Sequence, residues 1–152
     1  MLALIVIGIQ RNQVNRYNRD QITILVDRIN DLVNCGIYDL VIFTQEAYAP
    51  GFRQSEFHTD LDIKSAKAVF RIDNADSLFM NDDGESTGVG DYLSGMGINR
   101  VDICGVMLMT LKSAKDGARL GFKTRLIGGA MHPMILNQRD ISDAVENGVE
   151  LT

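Results

Sequence analysis

Polar side chains follow two of the short apolar runs in this sequence, at the points where each run ends. Glu46 and Tyr48 alternate after one run, so both could point into one cleft, although a solvated carboxylate is the simpler interpretation of Glu46. Arg71 and Asp73 follow another run. A guanidinium in a cleft binds a carboxylate or a carboxamide, whereas the same pair on an open surface contributes little.

Two cysteines and two histidines are the other candidates for nucleophilic or acid–base chemistry. Cys104 lies inside an apolar run and Cys35 at the end of a helical pattern, where a thiol is more often a small buried hydrophobe than a reactive group. His58 and His132 lie in predicted loops, with no acid or thiol at a recognisable spacing, so both are predicted to be solvated. These spacings indicate neither a disulfide nor a metal site, and no cofactor is predicted.

Two further apolar runs end in glycine. Gly8 and Gln10 follow the first run and supply no acid or base. Gly105 leads directly into a helical pattern, and a nucleophile at such a turn would be stabilised by the amides at the start of the helix. The side chains available there are those of Met107 and Met109, and a thioether is interpreted as a packing group.

These residues are positioned by apolar strands that alternate with amphipathic helices. The predicted strands cover 2–7, 39–44, 68–71, 101–106, 123–127 and 149–152, and the predicted helices cover 20–34, 89–96, 108–120 and 139–148. Asn18 or Asp20 is the expected cap of the first helix. The alternation predicts an α/β fold, a doubly wound and mostly parallel central sheet with helices on both faces. Because ligands bind beyond the carboxyl ends of such strands, the residues named above are the candidates for a site.

Length and charge restrict the classes of function. A chain of 152 residues, 45% of them hydrophobic, predicts one domain spanning 1–152. A net charge of −5 and a pI near 4.9 argue against nucleic acid and anionic membranes as partners. The apolar run Leu2–Ile9 is too short to cross a bilayer and lacks the features of a signal peptide, so a cytoplasmic location is expected.

The ordered segments together resemble the isochorismatase-like cysteine hydrolase family, which includes the nicotinamidases. The matching segments are Ala3–Gln10, Val41–Glu46 with Pro50 and Phe57–His58, Gly97–Val106, Ala114–Phe122 and Asp143–Glu150. The resemblance implies a doubly wound α/β domain that often forms homo-oligomers. The Met-rich segment Val106–Leu111 is then a candidate contact between copies.

The resemblance also implies a catalytic trio: an Asp base after the first strand, a Lys near the third strand, and a Cys nucleophile at the start of the helix after the fourth. The corresponding positions hold Gly8, Arg71 or Asp73, and Met109. The turn from Gly105 to Met109 is about two residues shorter than the loop that forms the family's oxyanion hole. Losing base, nucleophile and loop together predicts a protein without acyl-enzyme chemistry.

A vestigial cleft remains as the predicted site. In members of the family that use a metal, an Asp-x-His follows the second strand, and here Glu46 and Tyr48 take those positions. The expected roles are protein association, including self-association, or binding of a small molecule such as a nicotinamide-like or carboxylate compound beside Arg71.

An active hydrolase with displaced residues is the alternative. Cys104 would be its nucleophile, with Glu46, Asp73 or His58 as helper. This alternative requires an exposed thiol with a lowered pKa, whereas the strand position of Cys104 predicts burial.

Overall fold

The computed structural model describes residues 1–46, 56–72, 77–106, 109–132 and 137–152, without the side chains of Asn12 and Glu46. Strands and helices alternate through these ranges. The strands are β1 (Leu2–Ile7), β2 (Leu40–Glu46), β3 (Ala68–Ile72), β4 (Arg100–Gly105), β5 (Lys123–Met131) and β6 (Glu150–Leu151). The helices are α1 (Arg19–Asn34), α2 (Val89–Gly95), α3 (Met109–Arg119) and α4 (Gln138–Glu146), and short 3-10 turns lie at Arg11–Gln13 and Ile63–Ser65.

All six strands form one parallel sheet in the order β3-β2-β1-β4-β5-β6. The chain builds outward from β1 to β3, returns to place β4 beside β1, and then builds outward to β6. Right-handed crossovers in these two directions put α1 on one face of the sheet and α2, α3 and α4 on the other. The predicted doubly wound fold is confirmed.

The core explains why the central strand is so apolar. Every residue from Ala3 to Ile7 is completely buried, because β1 lies inside the sheet and is covered on both faces. The helix α1 buries the predicted stripe, which consists of Ile22, Leu25, Val26, Ile29 and Val33. At its start, the Asn18 side chain does not cap the helix but donates to the carbonyl oxygen of Gln13.

One strand is longer than predicted. The predicted end of β5 at Ile127 is wrong, because Gly128 and Gly129 form part of the strand instead of a turn. The Gly128 N–H donates to the carbonyl oxygen of Thr152 at 3.1 Å, so the strand continues beside the C-terminal segment. The other predicted bounds lie within two residues of those observed. No helix in the described ranges is long and apolar enough to span a membrane.

Candidate functional site

The order of the strands fixes where a ligand site is expected. In an open parallel sheet, ligands bind beyond the carboxyl ends of the strands, at the point where the chain reverses its direction of winding. Here that point lies between β1 and β4, which pair directly, with Ile7 opposite Gly105. The structure therefore brings the predicted site residues Gly8 and Gly105 together at the reversal.

The backbones of the two strands approach each other very closely at Gly105. This residue has φ +141°, and a Cβ added to it would lie 2.0 Å from the carbonyl oxygen of Ile7. The next residue, Val106, donates its N–H to the same oxygen at 3.2 Å. Only glycine fits at this point, so Gly105 contributes main-chain atoms and no side chain to the reversal point.

The turn after β1 is left-handed over two residues. Gly8 has φ +80° and Ile9 has φ +66°, a conformation that is rare for a β-branched residue. Neighbours hold the turn, since the Gly8 N–H donates to Thr44 Oγ1 at 3.3 Å and the Ile9 carbonyl accepts the His58 N–H at 2.8 Å. Gly8 therefore contributes a constrained backbone and no titratable group.

Gln10 is directed into the protein instead of an open cleft. It is 1% exposed, and its N–H donates to Gln13 Oε1 at 2.8 Å. A bridge to Phe57, together with the bond from the Arg11 N–H to the Glu56 carbonyl at 2.8 Å, covers this segment. Gln10, one of the residues predicted to line a vestigial cleft, is therefore buried beneath residues 56–58.

Cys104 is fully buried within β4, as its position in the strand predicts. Burial, with a smaller contribution from the charge of Asp102, raises the pKa of the thiol. The thiolate is the nucleophilic form of cysteine, so both its access and its ionisation are suppressed.

The first turn of α3 places two side chains near the reversal point. Met109 begins the helix, is half-buried and packs against the core, in agreement with its interpretation as a packing residue. Thr110 is completely buried, and its hydroxyl has no hydrogen-bond partner among the residues that the structure describes. Met107 lies outside the described residues.

Arg71 lies apart from the reversal point. It is on β3, opposite Gln45, and β2 separates it from β1, so about 10 Å of sheet lie between them. Arg71 is exposed and borders a separate cleft of about 340 Å³. The cleft is lined by Phe70, Arg71, Ile72, Leu78, Asn81, Ser86, Thr87, Gly88 and Val89. The predicted single cleft is thus divided, and Tyr48, Asp73 and the side chain of Glu46 lie outside the described residues.

Two predictions about accessibility are wrong. His132 is 6% exposed, because it follows the extended β5 and donates its N–H to the carbonyl oxygen of Gly105 at 3.1 Å. Cys35 is exposed, because α1 ends just before it. His58 is half-buried, and its Nδ1 accepts the Asp60 N–H at 3.2 Å.

Buried polar groups that the sequence analysis did not single out stabilise the scaffold. Asp102 accepts Arg125 Nε at 2.9 Å and the Tyr38 hydroxyl at 2.9 Å. Burial, and to a lesser extent the hydrogen bond to Asp102 and its charge, raise the pKa of Tyr38. Ser77 donates to Asp116 Oδ2 at 2.6 Å. An aspartate inside the apolar run of β4 was the one signal in the sequence that a buried partner was required.

No group of three or more His, Cys, Asp or Glu side chains that could hold a metal ion occurs in the described part of the chain.

Comparison with solved structures finds close likenesses of fold. PnC1 from L. infantum, solved in complex with nicotinate, has a TM-score of 0.86 and 20% identity, over 99% of this chain and 91% of that chain. The Acinetobacter baumanii nicotinamidase/pyrazinamidase has a TM-score of 0.81 and 24% identity, over 99% and 94%. The N-carbamoylsarcosine amidase of Thermoplasma acidophilum has a TM-score of 0.77 and 14% identity, over 99% and 95%.

No protein-family model and no curated protein sequence matches the chain, so the likeness is one of three-dimensional structure. An isochorismatase-like hydrolase from Alkaliphilus metalliredigens is also similar, with a TM-score of 0.74 and 14% identity, over 99% of this chain and 90% of that chain. The chain has the fold that these hydrolases share.

Proposed function

We propose that this protein, which has the fold of nicotinamidases and isochorismatase-like hydrolases, belongs to their family but hydrolyses no amide and acts by binding a small molecule or a protein partner. The observation that carries this proposal is the burial of Cys104. Its thiol is 0% exposed inside β4, and burial keeps it protonated. An acyl-enzyme needs a thiolate in contact with the substrate carbonyl.

The other thiol, that of Cys35, is exposed, but it lies near the amino ends of the strands, at the opposite end from the reversal point. The helix α1 leaves the carboxyl end of β1 and runs back toward the amino ends of the strands. Just beyond Cys35, the Asp39 N–H donates to the carbonyl oxygen of Leu2, at the start of β1. A nucleophile must come within about 3–3.5 Å of the atom it attacks, so Cys35 is excluded from chemistry at the reversal point.

The positions that the family resemblance assigns to base and nucleophile offer no substitute. Gly8 has no side chain, and its N–H is bonded to Thr44 Oγ1. Met109 carries a thioether, which forms no acyl intermediate. The alternative of a hydrolase that uses Cys104 requires the exposed thiol that the structure does not provide.

Amide hydrolysis tests the proposal directly. Ammonia release is measured from nicotinamide, pyrazinamide and N-carbamoylsarcosine, with and without added Zn²⁺, for the wild type, Cys104→Ser and the control Cys35→Ser. We expect no release above the buffer rate in any sample.

Two results would overturn the proposal. Turnover by the wild type and Cys35→Ser that is lost in Cys104→Ser would make Cys104 a displaced nucleophile. Equal turnover in all three proteins would show hydrolysis by a route that needs no thiol.

A further inference from the structure

We propose that one flank of α1 forms a docking groove for a basic amphipathic helix of another protein. The docking groove lies on the face of the sheet opposite α2, α3 and α4, and two adjoining cavities of about 390 and 210 Å³ form it. It is lined by Leu25, Arg28 and Leu32 of α1 and by Ile127, Ala130 and Met131 of β5. This goes beyond the proposed function, because it assigns a surface on the face of the sheet instead of a site at its carboxyl edge.

One helix is too narrow to cover its face of a six-stranded sheet. A helix is about 10 Å across and neighbouring strands lie about 4.8 Å apart, so α1 covers roughly two strands. One flank of α1 is closed by residues 60–62, because Asn30 donates to the Asp60 carbonyl oxygen at 2.8 Å and Asn34 donates to Asp62 Oδ2 at 3.0 Å. On the other flank, the described residues leave the docking groove open over β5.

The floor of the docking groove is apolar and held in place by the core. Leu25, Ala130 and Met131 are each less than a tenth exposed, so packing on their other sides fixes them. Leu32 and Ile127 are half-buried and line the larger cavity. A partner would therefore gain apolar burial on a surface that is already ordered.

A bulge in β5 forms one wall of the docking groove. Residues 126–131 of β5 accompany only residues 103–105 of β4, so the extra residues of β5 form an irregularity in the sheet. Arg28 Nη1 donates to the carbonyl oxygen of Gly129 in this bulge at 2.9 Å. This bond joins the two walls, so their spacing is set before a partner binds.

The length of the docking groove fits a helix. The lining residues on α1 extend from Gln21 to Cys35, which is about 21 Å or four helical turns. Helices are the elements that cover the faces of a parallel sheet, and an amphipathic helix binds such a groove through residues spaced i, i+3, i+4 and i+7.

Charge on α1 favours a basic partner. Asp20, Asp27 and Asp31 are exposed and spaced i, i+7 and i+11, so they follow one side of the helix. Within the described part of the chain, none of the three forms an ion pair. Lysine or arginine along the edge of an incoming helix would pair with them, and the net charge of −5 favours the encounter.

The same charges disfavour a second copy of this chain as the occupant. Two copies that met through α1 would bring two sets of these carboxylates together, and like charges across an interface oppose association. The apolar stripe of α1 is also buried in its own core, so it cannot fill the groove of another copy. The occupant is therefore assigned to a different protein.

Synthetic helical peptides of about 15 residues test the docking groove. The lysine peptide has leucine at i, i+3, i+4 and i+7 and lysine elsewhere. One control has the same composition in an order without an apolar stripe, and the other has glutamate in place of every lysine. By fluorescence anisotropy, we expect the lysine peptide to bind saturably, the reordered peptide to bind roughly tenfold more weakly or worse, and the glutamate peptide not to bind.

Paired charge changes locate the binding surface. Asp27→Lys/Asp31→Lys should weaken binding of the lysine peptide roughly tenfold or more. The matched control is Glu85→Lys/Asp91→Lys, which makes the same change of net charge beside and within α2 and should alter the affinity less than about twofold. Ile24→Ser removes a side chain that is 53% exposed and should weaken binding roughly threefold. Circular dichroism and urea midpoints show that the variants are folded.

Cys35 reports whether the lysine peptide lies in the docking groove. Its thiol is exposed and lines the larger cavity, so bound peptide should slow its reaction with a bulky maleimide in proportion to occupancy. An unchanged rate at saturation would overturn the proposal.

The proposal is also overturned if the lysine peptide shows no saturable binding, if the reordered peptide binds equally well, or if the two double variants bind equally well. A wild-type dimer that Ile24→Ser dissociates would overturn it too, because it would place a second copy in the groove. None of these results depends on the turnover assay.

Discussion

The contact between Gly105 and Ile7 shows how little freedom single residues have at the carboxyl edge of this sheet. A Cβ on Gly105 would overlap the Ile7 carbonyl oxygen, and no side-chain rotation relieves this overlap because the backbone fixes the positions of both atoms. Ile9, two residues beyond Ile7, tolerates a left-handed backbone that costs about 1–2 kcal/mol because its side chain is 1% exposed and well packed. Packing here outweighs local conformational preference.

Gly105→Ala is expected to destabilise the fold by about 3 kcal/mol or more, because the backbones of β1 and β4 must separate. The measurement is the urea midpoint and the slope of the unfolding transition. Gly129→Ala is the control, since nothing lies within 4 Å of the Cβ it would add, and it should change stability by about 0.5 kcal/mol or less. Equal stability of the two variants would contradict the close approach.

Thiol labelling should distinguish the two cysteines. The native protein is expected to react rapidly at one thiol per chain, that of exposed Cys35, and at the second, that of Cys104, only after denaturation. Cys35→Ser should then show no rapid reaction. Rapid labelling of native Cys35→Ser would contradict the burial of Cys104.

Stability should fall at alkaline pH because of Cys104. Its pKa is raised in the folded state, whereas the unfolded thiol ionises near about 8.5, so above that pH the unfolded state binds fewer protons and is stabilised relative to the folded state. Between pH 7 and pH 9.5, the urea midpoint should fall more for the wild type than for Cys104→Ala. The free energy of unfolding of the two proteins should differ in its dependence on pH by at most about 1.4 kcal/mol per pH unit. Parallel pH profiles would show that the thiol titrates normally.

Between elements, the buried carboxylate of Asp102 connects β4 to β5 and to the segment after α1. It receives two bonds from Arg125, at 2.9 and 2.5 Å, and one from the Tyr38 hydroxyl. Asp102 is almost wholly buried, and the charge and hydrogen bonds of Arg125, together with the Tyr38 hydroxyl, offset the cost of burying its carboxylate.

Two substitutions of different severity test this connection. Tyr38→Phe removes one hydrogen bond and should cost about 1 kcal/mol. Asp102→Ala leaves Arg125 without its partner and should cost about 3 kcal/mol, at the lower end for a buried pair because the Arg125 side chain is 31% exposed. Lys123→Gln, which removes the exposed pair with Glu150, should cost less than about 1 kcal/mol. Equal losses in chemical denaturation would contradict this ranking.

The elements themselves were predictable because their signals are local. The apolar runs and the helical stripe of α1 are periodic over a few residues, and the structure confirms them. The partners of Arg125 and Ser77 were not predictable, because the contacts with Asp102 and Asp116 span 23 and 39 residues of sequence. The separation of the cleft beside Arg71 from the reversal point was not predictable either, because only the order of the strands reveals that β2 lies between them.

At the scale of the whole molecule, the strands on both sides of the reversal point share one continuous hydrophobic core. Core residues come from β1 to β5 and from all four helices, with no break between the halves. Self-association is a separate prediction from the family resemblance, and Leu111, in the predicted contact segment, is buried in the core. We expect light scattering to give a native mass that is at least twice the chain mass of 16.8 kDa. A monomer at high concentration would contradict this expectation.

The left-handed turn at Gly8 and Ile9 determines how this scaffold could be engineered. An aspartate installed at position 8 would have to adopt φ near +80°, directly before an isoleucine that already carries the same kind of strain. An aspartate at position 8 would therefore be added without being aligned. If the chain is inactive as proposed, an engineered base after the first strand would require a different backbone path through residues 8 and 9.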